Sequence, residues 1–447
     1  MSGYDINLIR ELLEKDKTEK VKGIISGMEV RDLAFLIEQL NEKEKIKLYL
    51  LIPTKISSDV LLELSKHSRK FILKSLKDKY IVSMIEKTES DDSADILGEF
   101  SEKKVRKIFA NLTKKKKEAV EQLIKYEKDT AGGIMQSELL ELPGTIKVKE
   151  AINLIKDKIK GIEGVNYVYI TDKNDKLKGV ITIQSLITHS PNKRLYQIMN
   201  KDVVKVSPEL DKEKVAEVFR KEDLFAVPVV DKRNMLLGRV TVDDVLDVMG
   251  EEATEDMLRI AGVHPDESVF DPWRKSLKSR LPWLMVNLLT VMIAALVVYL
   301  FEGTLQKVII LAAFLPVIAG MGGNAGTQTL TLVVRSIALN QLNLDNYKKV
   351  LFKEILLGLI NGLVTGVITA VIAYFWIGNF MIGVVITLAM VINLVVAALV
   401  GTCIPLLLKF FKIDPAVASC IFITTFTDII GFFSLLGIAS LLIHWLI

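Results

Sequence analysis

The sequence predicts a multidomain protein with an all-α helical superhelix, an α/β domain pair and an α-helical membrane domain of about five spans. Three observations predict it: a repeated helical pattern near the start, strand patterns after it, and an almost continuously apolar stretch from Leu281 onward. We infer boundaries of 1–135 for the helical domain, 136–250 for the α/β pair, 251–280 for a connecting helix and 281–447 for the membrane domain.

The first domain contains a repeated pair of helices. Residues 32–51 read DLAFLIEQLNEKEKIKLYLL and residues 92–110 read DSADILGEFSEKKVRKIFA, with a weaker copy beginning at Asp59. Asn or Ser precedes Glu-Lys in both, which is typical of an N-cap between two short amphipathic helices. Stacked hairpins of this kind form a solenoid whose repeats share one core. The alternative is a coincidental similarity among charged helices.

The second domain contains two strand–turn–strand units. Residues 167–172 read YVYITD and lead through a polar turn to LKGVIT at 177–182, while AVPVVD at 226–231 leads to LLGRVTVDD at 236–244. Each unit has two strands joined by an Asp-containing turn and ends in Gly-x-Val/Ile-Thr or its equivalent, with helical stretches on both sides. The repetition predicts a pair of similar α/β domains.

The membrane domain contains apolar segments of the length that a bilayer requires of a helix, about 20 residues. We place them at about 282–301, 308–336, 350–377, 381–410 and 415–445. Basic residues cluster in alternate connections: Arg274, Lys275, Lys278, Arg280, Lys348, Lys349, Lys353, Lys409 and Lys412. By the positive-inside rule, the soluble part faces the cytoplasm of a cell (inner or plasma) membrane and the C-terminus faces outward.

Composition excludes several classes of function. The chain has 58 Lys+Arg and 54 Asp+Glu residues, a balance that argues against a nucleic-acid surface. Residues 1–10 are charged and lack an apolar core, so we expect no signal peptide. Cys403 and Cys420 both lie in the apolar part, which indicates neither a disulfide framework nor a thiolate metal site.

Asp428 is the most informative residue because it lies alone in the last apolar segment. A carboxylate at membrane depth costs a few kcal/mol or more, so it faces a cavity, a pore or a partner; snorkelling or pairing with an Arg is the alternative. In the second segment Gly320, Gly322, Gly323 and Gly326 surround Asn324. Helix packing explains these glycines by themselves. Together with Asp428, however, Asn324 and free carbonyls supply the oxygen ligands that Mg²⁺ prefers.

The soluble part carries two acidic groups. Asp91, Asp92 and Asp95 lie on one helix face, and seven acids occur between residues 243 and 256. A solvated acidic face is one interpretation, and a cation-binding face is the other. The second group comprises Asp243, Asp244, Asp247, Glu251, Glu252, Glu255 and Asp256.

These patterns resemble known families. The two strand units resemble a tandem pair of CBS domains. The string YEKDTAGGIM at 126–135, the string GMGGNAGTQ at 320–328 and the string DPAVAS at 414–419 with TFTD at 425–428, in this domain order, resemble the MgtE family of magnesium channels and transporters over essentially the whole chain.

The resemblance implies the chemistry of several residues. It implies a homodimer in the membrane lipid whose pore holds Mg²⁺ at Asp428, Asn324, Thr424 and Gly431. Cys420 stands where a polar or small residue is expected in relatives, which affects the cytoplasmic end of the pathway. The resemblance also implies that cytosolic Mg²⁺ closes the pore through the connecting, or plug, helix. The regulatory ligands would be Asp91, Asp95, Asp223, Asp243, Asp247, Glu251, Glu252 and Glu255.

CBS pairs commonly bind adenine nucleotides such as ATP through a Thr-x-x-Asp ending. Thr241 and Asp244 keep this spacing, whereas the first copy has Thr182 followed by Ser185. A structural N-cap at the strand-to-helix junction explains Thr241 and Asp244 equally well, so both interpretations stay open.

The sequence therefore predicts Mg²⁺ influx through a channel rather than an enzyme. A transporter of broader selectivity, for Co²⁺, Mn²⁺ or Ca²⁺, is one alternative, and a nucleotide-sensing membrane receptor is another. An intramembrane protease would need a zinc helix, a Ser/His pair or two membrane aspartates, which the sequence does not offer.

Overall fold

The computed structural model describes residues 5–158, 165–342, 346–418 and 420–447. Asp345 and Ser419 therefore lie outside the described residues. The chain divides into two compact units, Met1–Glu252 and Ala253–Ile447.

The first unit begins with a run of short helices around one continuous core. Side chains from Ile9 to Val120 share this core, and Leu33, Leu48 and Leu61 are fully buried in it. The predicted superhelix of stacked hairpins is confirmed. The helices are α1 (Ile6–Glu14), α2 (Thr18–Ile25), α3 (Val30–Glu38), α4 (Glu42–Leu51), α5 (Ser57–Leu62), α6 (Lys66–Ser75), α7 (Asp78–Ile85), α8 (Ser90–Gly98), α9 (Glu102–Phe109) and α10 (Lys114–Leu123).

The sequence repeat corresponds to two equivalent hairpins, α3–α4 and α8–α9. Asn41 is the N-cap of α4 and forms a capping box in which its side chain accepts from the Glu44 N–H at 3.1 Å. Ser101 is the N-cap of α9 but makes no side-chain capping bond. The predicted cap positions are thus correct in both copies, while only the asparagine supplies the full set of bonds.

The α/β pair follows in the same unit. In its first half β2 pairs antiparallel with β3 and parallel with β1; in its second half β4 pairs antiparallel with β5. Both predicted strand pairs are confirmed. The elements are β1 (Glu141–Pro143), α11 (Val148–Lys158), β2 (Tyr167–Thr171), β3 (Leu177–Thr182), α12 (Ile183–Thr188), α13 (Lys212–Glu222), β4 (Ala226–Val230), β5 (Leu236–Thr241) and α14 (Val242–Ile260).

The second unit is helical. Five of its described segments are long and apolar enough to cross a membrane, as the sequence predicts. Gly322 and Gly326 bring α17 against α20 and α19. The helices are α15 (Trp273–Leu300), α16 (Glu302–Lys307), α17 (Leu315–Ala338), α18 (Tyr347–Ile377), α19 (Phe380–Phe410), α20 (Cys420–Leu441) and α21 (Ile443–Leu446), with 3-10 turns at Ile309–Phe314 and Pro415–Val417.

The largest differences from the predicted span boundaries are at the starts of the first and the last helix. The first helix begins at Trp273 rather than near 282, because Pro282 lies inside it without ending it. The last begins at Cys420 rather than at 415. Asp414 caps a separate 3-10 turn there by accepting from the Ala416 N–H at 2.9 Å.

The connecting segment 251–280 is not the single helix that the sequence predicted. Helix α14 ends at Ile260, and Gly262 then takes a positive φ of 72°, a conformation that favours glycine and interrupts a right-handed helix. Ion pairs between Asp271 and Lys275 at 2.7 Å and between Glu267 and Arg280 at 2.6 Å join the following loop to the first turns of α15. The connection is therefore two helices joined by an ion-paired loop.

Helices α18 and α19 pack along a ladder of glycines. A Cβ atom on Gly358 would lie 2.7 Å from the Leu394 carbonyl oxygen, and one on Gly362 would lie 2.7 Å from Cα of Val391. These contacts involve backbone atoms that cannot rotate away. The absence of side chains is what permits this close approach.

Gly358→Ala should lower the stability of the membrane unit by about 1–3 kcal/mol, because the added methyl group overpacks this contact. Gly303→Ala is the matched control, since a Cβ on Gly303 has no neighbour within 4 Å. Thermal unfolding in detergent should show a lower midpoint for Gly358→Ala alone. Equal midpoints for the two variants would show that the helices separate easily.

Candidate ion pathway and acidic face

One face of α17 carries polar side chains that are exposed in the single chain. Asn324, Gln328, Thr331 and Arg335 are exposed, and their spacing of three or four residues aligns them along the helix. Hydrocarbon cannot satisfy such groups, so this polar stripe faces water or another protein surface. Of these four residues, only Asn324 was predicted from the sequence. The spacing of the other three from it was the signal that was missed.

Asp428 lies on α20, four residues after Thr424, and both side chains are half-buried. A Cβ atom on Gly323 would lie 3.3 Å from Cγ2 of Thr424, so this face of α20 meets α17 next to Asn324. The Thr424 hydroxyl donates to the Ile421 carbonyl at 3.1 Å. Over the described ranges, no basic side chain forms an ion pair with Asp428. Its carboxylate is therefore neither neutralised nor enclosed by its own chain.

Gly431 makes a close packing contact, while its role as a pore ligand stays a prediction. It is buried, and a Cβ there would lie 2.8 Å from Cγ2 of Ile318 and 2.9 Å from Nδ2 of Asn393. This glycine allows α20 to approach α17 and α19. Thr424, Asp428 and Gly431 are spaced four and three residues apart and so follow one side of α20, where Gly431 packs against Ile318 and Asn393.

Two buried polar side chains of the membrane unit were missed in the sequence. Asn393 is fully buried on α19. Glu354 on α18 is 5% exposed, accepts from the Thr329 hydroxyl at 3.0 Å and pairs with Lys353 at 3.3 Å. A single polar residue inside an apolar run was the available signal for Asn393. Asp428 differs from Glu354 because Glu354 already has a cation and a hydroxyl as partners.

In the first unit, carboxylates from two helices interact at one place. Glu89 precedes α8, Asp91 and Asp92 lie in its first turn, and Asp244 lies in the first turn of α14. The Gln136 amide donates to Glu89 at 2.8 Å and to Asp244 at 3.2 Å, which links the two helices. We call these four carboxylates the acidic face.

Asp91 is the least satisfied member of the acidic face. It is 8% exposed, and its Oδ1 atom is buried without a hydrogen-bond partner. Within the described part of the chain, no three His, Cys, Asp or Glu side chains are close enough together to hold a metal ion. A bound cation would therefore have to draw these carboxylates closer together.

The electrostatics of the acidic face favour a cation. Burial, followed by repulsion from neighbouring carboxylates, raises the pKa of Glu89 and of Asp92 to about 7. Burial raises the pKa of Asp244 to about 6, and burial together with the charge of Asp244 raises the pKa of Asp91 well above 3.8. A nearby divalent cation would stabilise the ionised forms and reverse these shifts. Glu89 and Asp92 were not among the predicted regulatory ligands.

Further predicted ligands lie along α14, beyond the acidic face. Burial and then the charge of Glu63 raise the pKa of Asp247. Burial raises the pKa of Glu251, with Asp95 among the repelling charges. Asp243 is exposed beside them. The structure therefore places acids of α8 and α14 within electrostatic reach of each other.

Other predicted ligands already have partners or structural roles. Asp95 pairs with Lys128 at 2.8 Å, and Glu252 pairs with Lys212 at 3.1 Å. In the second unit, Glu255 pairs with Arg259, which also pairs with Asp414. Asp223 is exposed and ends α13 with a φ of 49°, a conformation that Asp tolerates.

Thr241 and Asp244 form the N-cap pattern that was one of the two open interpretations. The Thr241 hydroxyl donates to Oδ2 of Asp244, and the Thr241 N–H donates to the same atom at 3.3 Å. The pair thus joins β5 to the start of α14. In this arrangement the Asp244 carboxylate serves both the cap and the acidic face.

Comparison with known proteins identifies the family. The profile of the MgtE intracellular N domain matches residues 28–129, that of the CBS domain matches 131–192 and 195–251, and that of MgtE, described as a divalent cation transporter, matches 315–438. The chain is 32% identical to the magnesium transporter MgtE of Thermus thermophilus over 98% of each chain. It belongs to the MgtE family.

Further comparisons agree with this assignment. The magnesium transporter MgtE of Bacillus subtilis is 30% identical, with 99% of this chain and 98% of that protein covered. A crystal structure of the cytosolic domain of the Mg²⁺ channel MgtE in complex with ATP matches with 30% identity and a TM-score of 0.52. It covers 55% of this chain and all of that one.

Membership of the MgtE family confirms several predictions. The CBS pair and the membrane location are correct, and the chain is a transporter of this family rather than an enzyme. The intramembrane protease considered above is therefore excluded.

Proposed function

We propose that this MgtE protein is a homodimeric, Mg²⁺-selective channel that admits Mg²⁺ and closes when cytosolic Mg²⁺ is high. The observation that carries the proposal is Asp428, an unpaired carboxylate at membrane depth beside an exposed polar stripe. The similarity of the chain to magnesium transporters is the reason for proposing Mg²⁺ as the transported ion.

Oxygen atoms are the ligands available for the ion along this route. Asp428 supplies the charge, and Asn324 and Thr424 supply neutral oxygens on the adjoining surfaces of α17 and α20. Mg²⁺ releases its waters reluctantly, so one carboxylate from each of two subunits would hold the ion through its hydration shell. The membrane potential would drive entry by about 4.6 kcal/mol per 100 mV for a divalent ion.

The exposed stripe on α17 supports the dimer. Asn324 and Gln328 lie within α17 and would be exposed to hydrocarbon if the chain stood alone in a membrane, which is costly for polar side chains. A second copy related by two-fold symmetry would cover the same stripe on both subunits. The wet surface between them would then contain two copies of Asp428.

Regulation would act through the acidic face. Cytosolic Mg²⁺ would bridge Asp91, Asp92 and their neighbours, and its loss would allow repulsion to separate α8 from α14. Helix α14 continues from the first unit into the second, where Arg259 pairs with Asp414 just before α20. This ion pair offers a route from the acids to the helix that carries Asp428. The soluble unit would therefore lie in the cytoplasm, and the C-terminus would lie outside.

ATP is the candidate second ligand of the CBS pair. The similar cytosolic domain was crystallised with ATP, and Thr241 and Asp244 keep the ribose-binding spacing. Since Asp244 already accepts from Thr241 and Gln136, ATP would compete with these bonds. Isothermal titration with ATP, compared between wild type and Thr241→Ala, tests this.

Reconstituted liposomes test the main proposal. With Mg²⁺ varied separately on each side, flux should follow the membrane potential and should fall when Mg²⁺ is raised on the side of the soluble unit. Equal fluxes of Mg²⁺, Co²⁺, Mn²⁺ and Ca²⁺ would establish the broader transporter instead. ATP binding without any ion flux would favour a nucleotide-sensing receptor.

A further inference from the structure

Asn393 is a buried amide near the middle of α19. Its side chain is fully buried in a bundle whose other members are mainly apolar. Its Nδ2 atom donates to the Ile318 carbonyl on α17 at 2.8 Å. Its Oδ1 atom is buried and has no hydrogen-bond partner.

The amide lies between two glycines on the two helices that border the proposed ion route. A Cβ atom on Gly322 of α17 would lie 2.3 Å from Nδ2 of Asn393, and one on Gly431 of α20 would lie 2.9 Å from the same atom. Gly322 is two residues before Asn324, and Gly431 is three residues after Asp428. The Asn393 side chain therefore acts as a spacer behind both residues of the proposed ion site.

Stability alone does not explain an amide at this position. An unpaired carbonyl oxygen in a dry interior costs free energy that an apolar side chain would not. The single hydrogen bond to Ile318 satisfies only part of the amide, because Asn has two donors and an acceptor. A role in transport accounts for the amide better than a role in packing.

We propose that Asn393 is a positioning residue for the ion. By holding α17 through Ile318 and filling the gap between Gly322 and Gly431, it sets the separation of Asn324 from Asp428. Small displacements matter in a preorganised site, where a shift of about 1 Å lowers the rate of a process by a factor on the order of 100. The inference rests on the proposed function, since it assumes that the ion passes between these helices.

The test compares Asn393→Ala with Asn361→Ala in full-length protein reconstituted in liposomes. Asn361 is a matched control because it is a membrane asparagine on α18 whose side chain is exposed. Asn393→Ala is expected to raise the half-saturating Mg²⁺ concentration by at least about ten-fold and to lower the ratio of Mg²⁺ to Ca²⁺ flux. Asn361→Ala is expected to leave both values unchanged.

A merely structural role predicts a different result. Poorer folding would reduce the maximum flux in proportion to the dimer seen by size-exclusion chromatography, without changing the half-saturating concentration. That result would overturn the inference. If Asn393→Ala fails to fold, Asn393→Ser is measured instead, because its shorter side chain stays polar but leaves the gap between Gly322 and Gly431 unfilled. A half-saturating concentration and a flux ratio equal to those of wild type would then overturn the inference.

The failure of this inference is distinguishable from that of the proposed function. Normal Mg²⁺ flux in Asp428→Ala would contradict the proposed ion route itself. If Asp428→Ala loses flux but the Asn393 variants keep the half-saturating Mg²⁺ concentration of wild type, only the positioning role of Asn393 would be contradicted.

Discussion

Asp428→Ala is expected to abolish Mg²⁺ flux while leaving the protein folded and assembled as in wild type. The substitution removes a carboxylate in an apolar helix that has no ion-pair partner among the described residues and lies one turn from Thr424. Losing about 3 kcal/mol of stabilisation at the ion site corresponds to a fall in flux of about 100-fold. Mg²⁺ uptake into liposomes at a fixed membrane potential measures this directly.

Two further variants sharpen the result. Glu302→Ala removes an exposed acid at the start of α16 and should leave flux unchanged, which controls for the loss of one negative charge from the membrane unit. Asp428→Asn keeps an oxygen but removes the charge and should give a flux between those of wild type and Asp428→Ala. Normal Mg²⁺ flux in Asp428→Ala would show that the ion takes another route.

The second large effect concerns the acidic face. We expect Mg²⁺ to protect the soluble unit from protease, and replacing Asp91 and Asp92 together by Asn should abolish this protection. Mg²⁺ would then find neither the unpartnered Oδ1 of Asp91 nor the repelling charges that favour a cation. In liposomes, the same variant should keep conducting at Mg²⁺ concentrations that close the wild-type channel.

Asp202→Asn is the matched control for this experiment. Asp202 is exposed in the same unit, so its replacement should leave both the Mg²⁺ protection and the closure unchanged. Protection by Mg²⁺ that persists at wild-type concentrations in the Asp91/Asp92 double variant would assign the sensor to other acids, and the proposed role of the acidic face would be wrong.

The raised pKa values of the acidic face predict how the stabilisation by Mg²⁺ depends on pH. Folding raises the pKa of Glu89 from 4.5 to about 7 and that of Asp244 from 3.8 to about 6. Their contribution to stability is therefore fully present below the unfolded-state values and is lost as pH rises through about 6–7. Mg²⁺ stabilises the ionised forms, so it should raise the melting temperature more at pH 8 than at pH 5. An increase that is the same at both values would contradict this linkage.

Much of the fold could be predicted because its signals are local. The repeat at 32–51 and 92–110 predicted hairpins α3–α4 and α8–α9, since apolar spacing and cap residues act within a few residues of each other. The five spans followed from segment length and hydropathy. The break at Gly262 was missed, because an isolated glycine in a charged sequence does not reveal its backbone angle.

The candidate sites were predicted less completely. The rarity of a charge in an apolar segment identified Asp428, but the same rule was not applied to Asn393 and Glu354. On α8, residue type alone could not distinguish the buried Asp91 from Asp95, which pairs with Lys128. Gly431 was predicted from the family resemblance, and its packing against Asn393 could not be read from the sequence.

The sequence by itself determined the domain order, the membrane spans and the presence of an acid at membrane depth, because each depends on composition and short-range periodicity. Only the tertiary structure decided which polar groups have partners. Among the described residues, it left the Oδ1 atoms of Asp91 and Asn393 without a hydrogen bond and Asp428 without an ion pair, whereas Glu354 and Glu252 each pair with a lysine. The physical reason is that burial and pairing arise from contacts between distant parts of the chain, and a residue's charge or polarity says nothing about which neighbours it will meet.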